Sequence, residues 1–184
     1  TAPEISQVFG ELLGLWAIDL WQRLDISGPI QLVELGPGRG TLMQDILRVV
    51  ARRAKIPEGL SVHLVETSLT LRARQNDLLR NSNVPIIWYD HLSDVPMMPF
   101  ILIANEFFDA LPIRQFTAND ERMVIITDGK LAFSSGTVIK ETCQPALEIC
   151  ANISEHIAIN SGAALFIDYG YTQGSTGDSL QAMR

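Results

Sequence analysis

Two hydrophobic periods alternate along the chain. Ile5, Val8, Phe9, Leu12, Leu13 and Trp16 recur at the spacing of one helix face, which predicts a helix from about Glu4 to Leu24. Thr1 and Glu4 stand at capping-box spacing, and Pro3 is tolerated in a first turn. Ser27-Gly28-Pro29 closes the connection to the next element. Short apolar runs follow: Gln31–Leu35, Ser61–Glu66 and Ile86–Trp88 read as strands, and Phe100–Ala104 as a strand buried on both faces. Helical spacing fills the gaps. Leu42, Ile46, Leu47 and Val50 share a face between Thr41 and about Ala54, Pro57–Gly59 breaks that helix, and Leu69–Leu79 predicts another. Strand alternating with helix implies a parallel sheet joined by right-handed crossovers.

After Pro112 the rhythm changes. Met123–Thr127 and Lys130–Phe133 flank Asp128-Gly129, a type I′ hairpin signal, so an antiparallel insertion is expected over about residues 113–136. A helix returns from about Lys140 to Ile159, stopped by Asn160-Ser161-Gly162, and Ala163–Asp168 reads as another buried strand. The tail Gln173–Asp178 is polar and glycine-rich. The expected architecture is an α/β domain over residues 1–184, with a largely parallel sheet in the order 3-2-1-4-5, flanking helices and a β-hairpin insertion.

Composition narrows the partners. The chain has 184 residues, in the range of one domain. Fourteen basic residues against 21 acidic ones give a net charge of −7, which repels phosphate backbones and argues against broad nucleic-acid binding. A cationic protein partner suits this surface better. No apolar run reaches the ~20 residues of a membrane span. No signal-peptide pattern precedes the first helix, and the opening Thr1 reads as a cut start. Cys143 and Cys150 form no CxxC pair, so neither a disulfide framework nor a zinc site is expected, and a reducing compartment follows. On a helix the two would share a face as small core residues. His63, His91 and His156 are scattered and read as structural.

The candidate chemistry gathers at strand ends. Glu34-Leu35-Gly36-Pro37-Gly38-Arg39-Gly40 lies between a strand and a helix. Glycines there permit positive φ and let a ligand approach the backbone, and the next helix offers unpaired N–H groups. A dinucleotide fingerprint places its third glycine five residues after the first. Here Thr41 occupies that position, and the glycines stand at 36, 38 and 40. The pattern of Glu34 and three alternate glycines resembles motif I of S-adenosylmethionine-dependent methyltransferases. Glu66, at the end of the second strand, is placed to accept hydrogen bonds from both ribose hydroxyls of an adenosine cofactor. Asp90, past the third strand, is the candidate near the adenine, with His91 and Asp94 as neighbours that blur the choice. After the fourth strand, Asn105, Glu106 and Asp109 supply a carbonyl and two carboxylates beside Phe107 and Phe108. A plainer reading makes Asp109 a cap and the phenylalanines core.

Four segments together resemble one family: Thr1–Gly10, Val33–Leu42, Ala104–Ile113 and Phe166–Tyr171. This is the MidA-like family of S-adenosylmethionine-dependent methyltransferases of bacteria and mitochondria, whose mitochondrial members are arginine methyltransferases needed for assembly of respiratory complex I. The resemblance implies a Rossmann-like methyltransferase core and S-adenosyl-L-methionine as cofactor. It also implies a protein substrate linked to complex I, in a bacterial cytoplasm or a mitochondrial matrix. Family members are longer, so it implies a cofactor-binding core represented in part. Glu34, Gly36, Gly38, Gly40, Glu66, Asp90 and Asn105 are then the expected cofactor residues. Asn105, Glu106 and Asp109 are the expected acceptor-side residues, with Asp168 as a weaker candidate. No metal is required, because a sulfonium is already an activated electrophile. Two rivals remain: an assembly factor that binds the cofactor without catalysis, and a methyltransferase for a small molecule. A nicotinamide dehydrogenase is opposed by the glycine spacing and by the lack of a Tyr-x-x-x-Lys pair.

Overall fold

The computed structural model describes residues 2–24, 26, 28–52, 58–170 and 178–180. Helices α1 (Ala2–Ile5) and α2 (Gln7–Arg23) lead into β1 (Gln31–Leu35), α3 (Thr41–Ala51), β2 (Ser61–Val65), α4 (Leu69–Leu79), β3 (Ile86–Tyr89) and β4 (Phe100–Asn105). A short 3-10 turn, Leu92–Asp94, lies between β3 and β4. Strands β5 (Arg114–Phe116), β6 (Glu121–Arg122), β7 (Val124–Thr127), β8 (Lys130–Phe133) and β9 (Lys140–Thr142) form the insertion. Helix α5 (Gln144–Asn160) and β10 (Gly162–Ile167) complete the described core.

The five long strands pair in the order β10-β4-β1-β2-β3, all parallel, as the sequence pattern predicts. Parallel strands need both faces covered. Leu32, Val62, Leu64, Ile101 and Ile103 face one way, onto Ala17 of α2 and Leu42, Met43, Ile46 and Val50 of α3. Val33, Leu35, Leu102 and Ala104 face the other way, toward Ile153 of α5. Helices α2 and α3 approach closely because Gly10 and Gly14 lack side chains: a Cβ at Gly10 would lie 2.5 Å from that of Asp45. Among the described residues, no helix is long and apolar enough to cross a membrane.

Several boundaries differ from expectation. The first helix is interrupted at Ser6, whose backbone is extended (φ −145°, ψ 118°). Glu4, on the short α1, reaches Arg39 (3.2 Å) and Thr41 (3.1 Å) beside the glycine turn. Thr1, its expected capping partner, lies outside the described residues. The hairpin turn forms as expected, with Asp128 and Gly129 at φ +52° and +72°. The insertion is larger than one hairpin, because β5, β6 and β9 make a second antiparallel sheet. Pairing of Lys140–Thr142 with β5 delays α5 to Gln144. Cys143 therefore precedes the helix, donates to the Pro112 carbonyl (3.5 Å), and shares no helix face with Cys150. The last strand, expected to be buried, is an edge strand with Phe166 43% exposed. Most of the 173–178 tail lies outside the described residues. Asp178 itself binds Gln115 and Arg122 of the insertion, each at 2.6 Å.

Candidate functional site

The carboxyl ends of β1, β2 and β3 open onto a cavity of about 470 Å³, within the size range of small-molecule sites. Its wall includes Gly36, Glu66, Asp90, His91, Phe107 and Ile149. Gly36 of the glycine turn stands on the wall, while Gly38 and Gly40 are off it. Gly36, Gly38 and Gly40 all have positive φ (+60°, +53° and +86°), a conformation that costs other residues strain. The Gly36 N–H donates to the Val65 carbonyl (3.0 Å), which ties the turn to β2. A Cβ at Gly36 would sit 2.8 Å from the Phe107 ring, whereas one at Gly38 would meet no protein atom within 4 Å. The space before Gly38 is therefore open to a ligand.

Glu66 lies on the cavity wall, and its carboxylate is already oriented. Oε1 accepts the Ser68 N–H at 2.8 Å. A carboxylate has about four acceptor positions, so it retains capacity for vicinal hydroxyls. Asp90 is also on the wall, with Oδ1 held by Arg72 Nη2 at 2.8 Å. Asp94 belongs to the 3-10 turn and is not part of the lining. Glu34 lies elsewhere. It is 3% exposed inside β1, away from the cavity wall, and Oε2 has no protein partner. By strand alternation it shares the α2–α3 face with Leu32. Burial pushes its carboxyl up to about 8, so it is largely protonated at neutral pH.

On the other side of Phe107 runs the loop after β4. Asn105 ends that strand, and its Oδ1 is buried without a partner. Glu106 adopts φ +47°, a strained conformation for a non-glycine residue. Its N–H donates to the Ile167 carbonyl (2.8 Å). Asp168 secures the next turn: Oδ2 accepts the N–H groups of Phe108 (2.9 Å) and Asp109 (3.2 Å), and Oδ1 accepts that of Tyr169 (2.8 Å). Asp168 thus anchors the loop rather than presenting a free carboxylate. The Asp109 carboxyl is raised above its ordinary value by partial burial and then by the nearby charges of Asp168 and Glu106. Among the described residues, no cation pairs with Glu106 or Asp109. Asn105, Glu106 and Asp109 are off the cavity wall, and Phe107, which lines it, joins the two regions.

Two of the histidines are bonded inside the fold. His63 meets Ser61 Oγ (2.8 Å) and the Tyr89 hydroxyl (3.2 Å), and burial lowers its pKa. His156 meets the Met98 carbonyl (2.7 Å). His91, one of the neighbours of Asp90 that blurred the adenine-side choice, instead lines the cavity, whereas Glu148, Ile149 and Asn152 of α5 were not expected there. No local pattern marks the α5 residues, since only the packing of α5 brings them to the crevice. The residues present fit an adenosine cofactor: open space at Gly38, an oriented carboxylate at Glu66 and a cavity walled by Gly36, Glu66 and Asp90.

Comparison with known proteins agrees. A family model described as S-adenosyl-L-methionine-dependent methyltransferase matches residues 12–137. The mitochondrial protein arginine methyltransferase NDUFAF7 of Danio rerio is 37% identical over 228 residues, covering 100% of this chain and 54% of the relative. The Homo sapiens protein of that name is 40% identical over 215 residues, covering 93% and 49%. A Burkholderia thailandensis crystal structure bound to S-adenosyl-homocysteine matches with a TM-score of 0.68 and 28% identity, over 93% of this chain and 49% of that one. The chain spans about half the length of the curated relatives it matches.

Proposed function

The chain belongs to the family of S-adenosyl-L-methionine-dependent methyltransferases, and from that premise we propose that it methylates an arginine guanidinium on a protein. Its relatives carry the name of mitochondrial protein arginine methyltransferases. The further reading, implied by the family resemblance, is a subunit of respiratory complex I as substrate, met in a mitochondrial matrix or, in a bacterium, the cytoplasm. Residues 1–184 then act as one cofactor-binding core carrying the insertion.

When bound, S-adenosylmethionine supplies a methyl group activated on a sulfonium. Gly36, Gly38 and Gly40, with the N-terminus of α3, receive the amino-acid end of the cofactor. Glu66 accepts from the ribose, and Asp90 stands at the adenine side. Glu34 supports the turn from within the sheet. The Asn105 carbonyl, Glu106 and Asp109 take the acceptor. A guanidinium stays protonated below pH 12 and is a poor nucleophile. Carboxylates orient it through charge-assisted hydrogen bonds and receive the proton it sheds as the N–C bond forms. The protein's main contribution is alignment, holding the attacking nitrogen within about 3–3.5 Å of the methyl carbon.

The observation that supports this reading is the pair of carboxylates, Glu106 and Asp109, that no cation among the described residues pairs with, beside the cavity-lining Phe107. The test is single-turnover transfer to an arginine-containing protein substrate at saturating cofactor, with cofactor affinity measured separately. Glu106→Gln and Asp109→Asn are expected to keep affinity and slow transfer by about a hundredfold or more, the worth of a general base at the low end. Wild-type rates in both would remove these carboxylates from the chemistry. Cofactor binding without transfer to any protein would favour the assembly-factor reading.

A further inference from the structure

Helix α4 buries only two residues completely, Leu79 and Gln75. A leucine there needs no explanation. Gln75 is 0% exposed, and a buried amide is costly unless hydrogen-bonded. Its partners come from three consecutive strand ends. Nε2 donates to the Gly38 carbonyl (2.8 Å), in the turn after β1. Nε2 also approaches Glu66 Oε2 (3.4 Å), at the end of β2. Oε1 accepts the indole N–H of Trp88 (2.8 Å), in β3. The methylene stem fills the space behind the third glycine, since a Cβ at Gly40 would come within 3.2 Å of Gln75 Cγ.

The Trp88 bond gives this network a direction. An indole nitrogen only donates, so the amide oxygen must face Trp88. The amide NH₂ is thereby turned toward Gly38 and Glu66 and cannot flip without losing partners on both sides. Glu66 is then held at both oxygens, Oε1 by Ser68 and Oε2 by Gln75. Arg72, one turn earlier on α4, donates to the Glu66 carbonyl and to Asp90. One helix thus fixes the glycine turn, the ribose carboxylate and the residue at the adenine side relative to one another.

We propose that Gln75 is the positioning residue for ribose recognition: it sets the plane of the Glu66 carboxylate so that both oxygens meet the vicinal hydroxyls. This rests on the reading of Glu66 as the ribose ligand. Two hydroxyls on adjacent carbons demand a fixed carboxylate plane, because rotation about the last side-chain bond moves both acceptors at once. A group with a purely structural role would affect every ligand of the crevice alike. A group acting through Glu66 affects only ligands that carry the hydroxyls.

The experiment is calorimetric titration of the protein with S-adenosylhomocysteine and with its 2′,3′-dideoxyribose analogue. The variants are Gln75→Met, Glu66→Ala and the double substitution, with thermal melting as a check on folding. Methionine keeps the length and volume of the side chain and removes only the amide. Gln75→Met is expected to weaken S-adenosylhomocysteine about tenfold, the loss of roughly one charge-assisted hydrogen bond, and the dideoxy analogue less than about twofold. In the Glu66→Ala background it is expected to add almost nothing, the non-additivity of groups acting as one unit. Equal losses for the two ligands, or additivity with Glu66→Ala, would overturn the proposal while leaving Glu66 at the ribose. Indifference of Glu66→Ala itself to the hydroxyls would take down the ribose reading and this inference with it. If Gln75→Met does not fold, Trp88→Phe decides. It frees the amide to rotate, and a loss confined to the hydroxyl-bearing ligand supports the proposal, whereas an unchanged ratio of the two affinities overturns it.

Discussion

The two halves of the site, separated by Phe107, are built on opposite principles. On the cofactor side the protein satisfies its own polar groups. Glu66 has two protein donors, Asp90 has Arg72, and the Gly36 N–H and the Gly38 carbonyl are both bonded. On the acceptor side it does not. Asn105 Oδ1 is orphaned, Glu106 is strained, and three carboxylates crowd together without a cation. A bonded frame of this kind presents one fixed geometry to a cofactor of constant shape. Crowded like charges are instead held at a cost that a cationic ligand relieves. The difference separates residues whose loss weakens binding from residues whose loss relaxes the free protein.

The largest effect is expected at the frame. Gly38→Val puts a branched side chain at φ +53° into space that holds no protein atom within 4 Å. The fold should survive with about 1–3 kcal/mol of backbone strain. Cofactor affinity should fall more than about a hundredfold, because the side chain takes the ligand's place. Calorimetry on a variant with a cooperative melt checks this, and unchanged affinity would place the cofactor elsewhere. Glu66→Ala is the next largest. It removes up to two charge-assisted hydrogen bonds of roughly 1.5–3 kcal/mol each, so affinity should fall at least about tenfold.

Glu34 is the exception on the cofactor side, and it sharpens the contrast. Its carboxyl is pushed up to about 8 by burial, above the ordinary 4.5 of an exposed glutamate. The unfolded chain ionises near 4.5 while the folded protein stays protonated, so folded stability is lost as pH rises between those values and levels off above 8. Glu34→Gln has no proton to lose. It should match the wild type in melting temperature near pH 4 and exceed it by about 4 kcal/mol of stability near pH 8. A constant offset across that range would show that Glu34 ionises in the folded protein as readily as in the unfolded chain.

The sheet was legible in the sequence because its strands are short apolar runs cut by glycine and proline, and the order 3-2-1-4-5 is that of a doubly wound sheet with a glycine turn after its first strand. The proposed cofactor side could be placed from the sequence because its residues sit at strand ends, where sequence position alone fixes spatial position. Gly36, Glu66 and Asp90 accordingly stand on the cavity wall. Gln75 was not legible, since a glutamine on a helix reads as solvated until β3 packs against it. The lining residues of α5 were missed for the same reason. Lys140–Thr142 read as helix because three residues carry too little periodicity to announce a strand, and only pairing with β5 reveals one. Asp168 reads as a possible acceptor ligand because sequence shows a strand-end carboxylate and not the three N–H groups it already accepts.

The smallest effect belongs to Asp109, and it tests the acceptor side directly. The carboxyl is raised by partial burial and by its neighbours Asp168 and Glu106. A carboxyl whose folded pKa lies above its unfolded value costs stability as pH rises through that interval. Asp109→Asn removes the charge and keeps the volume, and asparagine accepts backbone N–H groups about as well as aspartate. The free protein should therefore become slightly more stable at neutral pH. The side chain is exposed, so solvent screening limits the gain to about 0.5 kcal/mol, or roughly 1–2 °C in melting temperature for a chain of this size. The same substitution should slow methyl transfer, so stability and activity move in opposite directions. At the frame they move together, since Glu66→Ala removes hydrogen bonds that Ser68 and Gln75 make to the carboxylate as well as those to a ligand. Melting Asp109→Asn at pH 7 with and without a guanidinium-bearing peptide checks this. The wild type should gain more from the peptide than the variant does, because the peptide relieves a repulsion that only the wild type carries. A variant less stable than the wild type at pH 7 would mean that Asp109 is bonded into the loop like Asp168, and the acceptor side would then be as self-satisfied as the cofactor side.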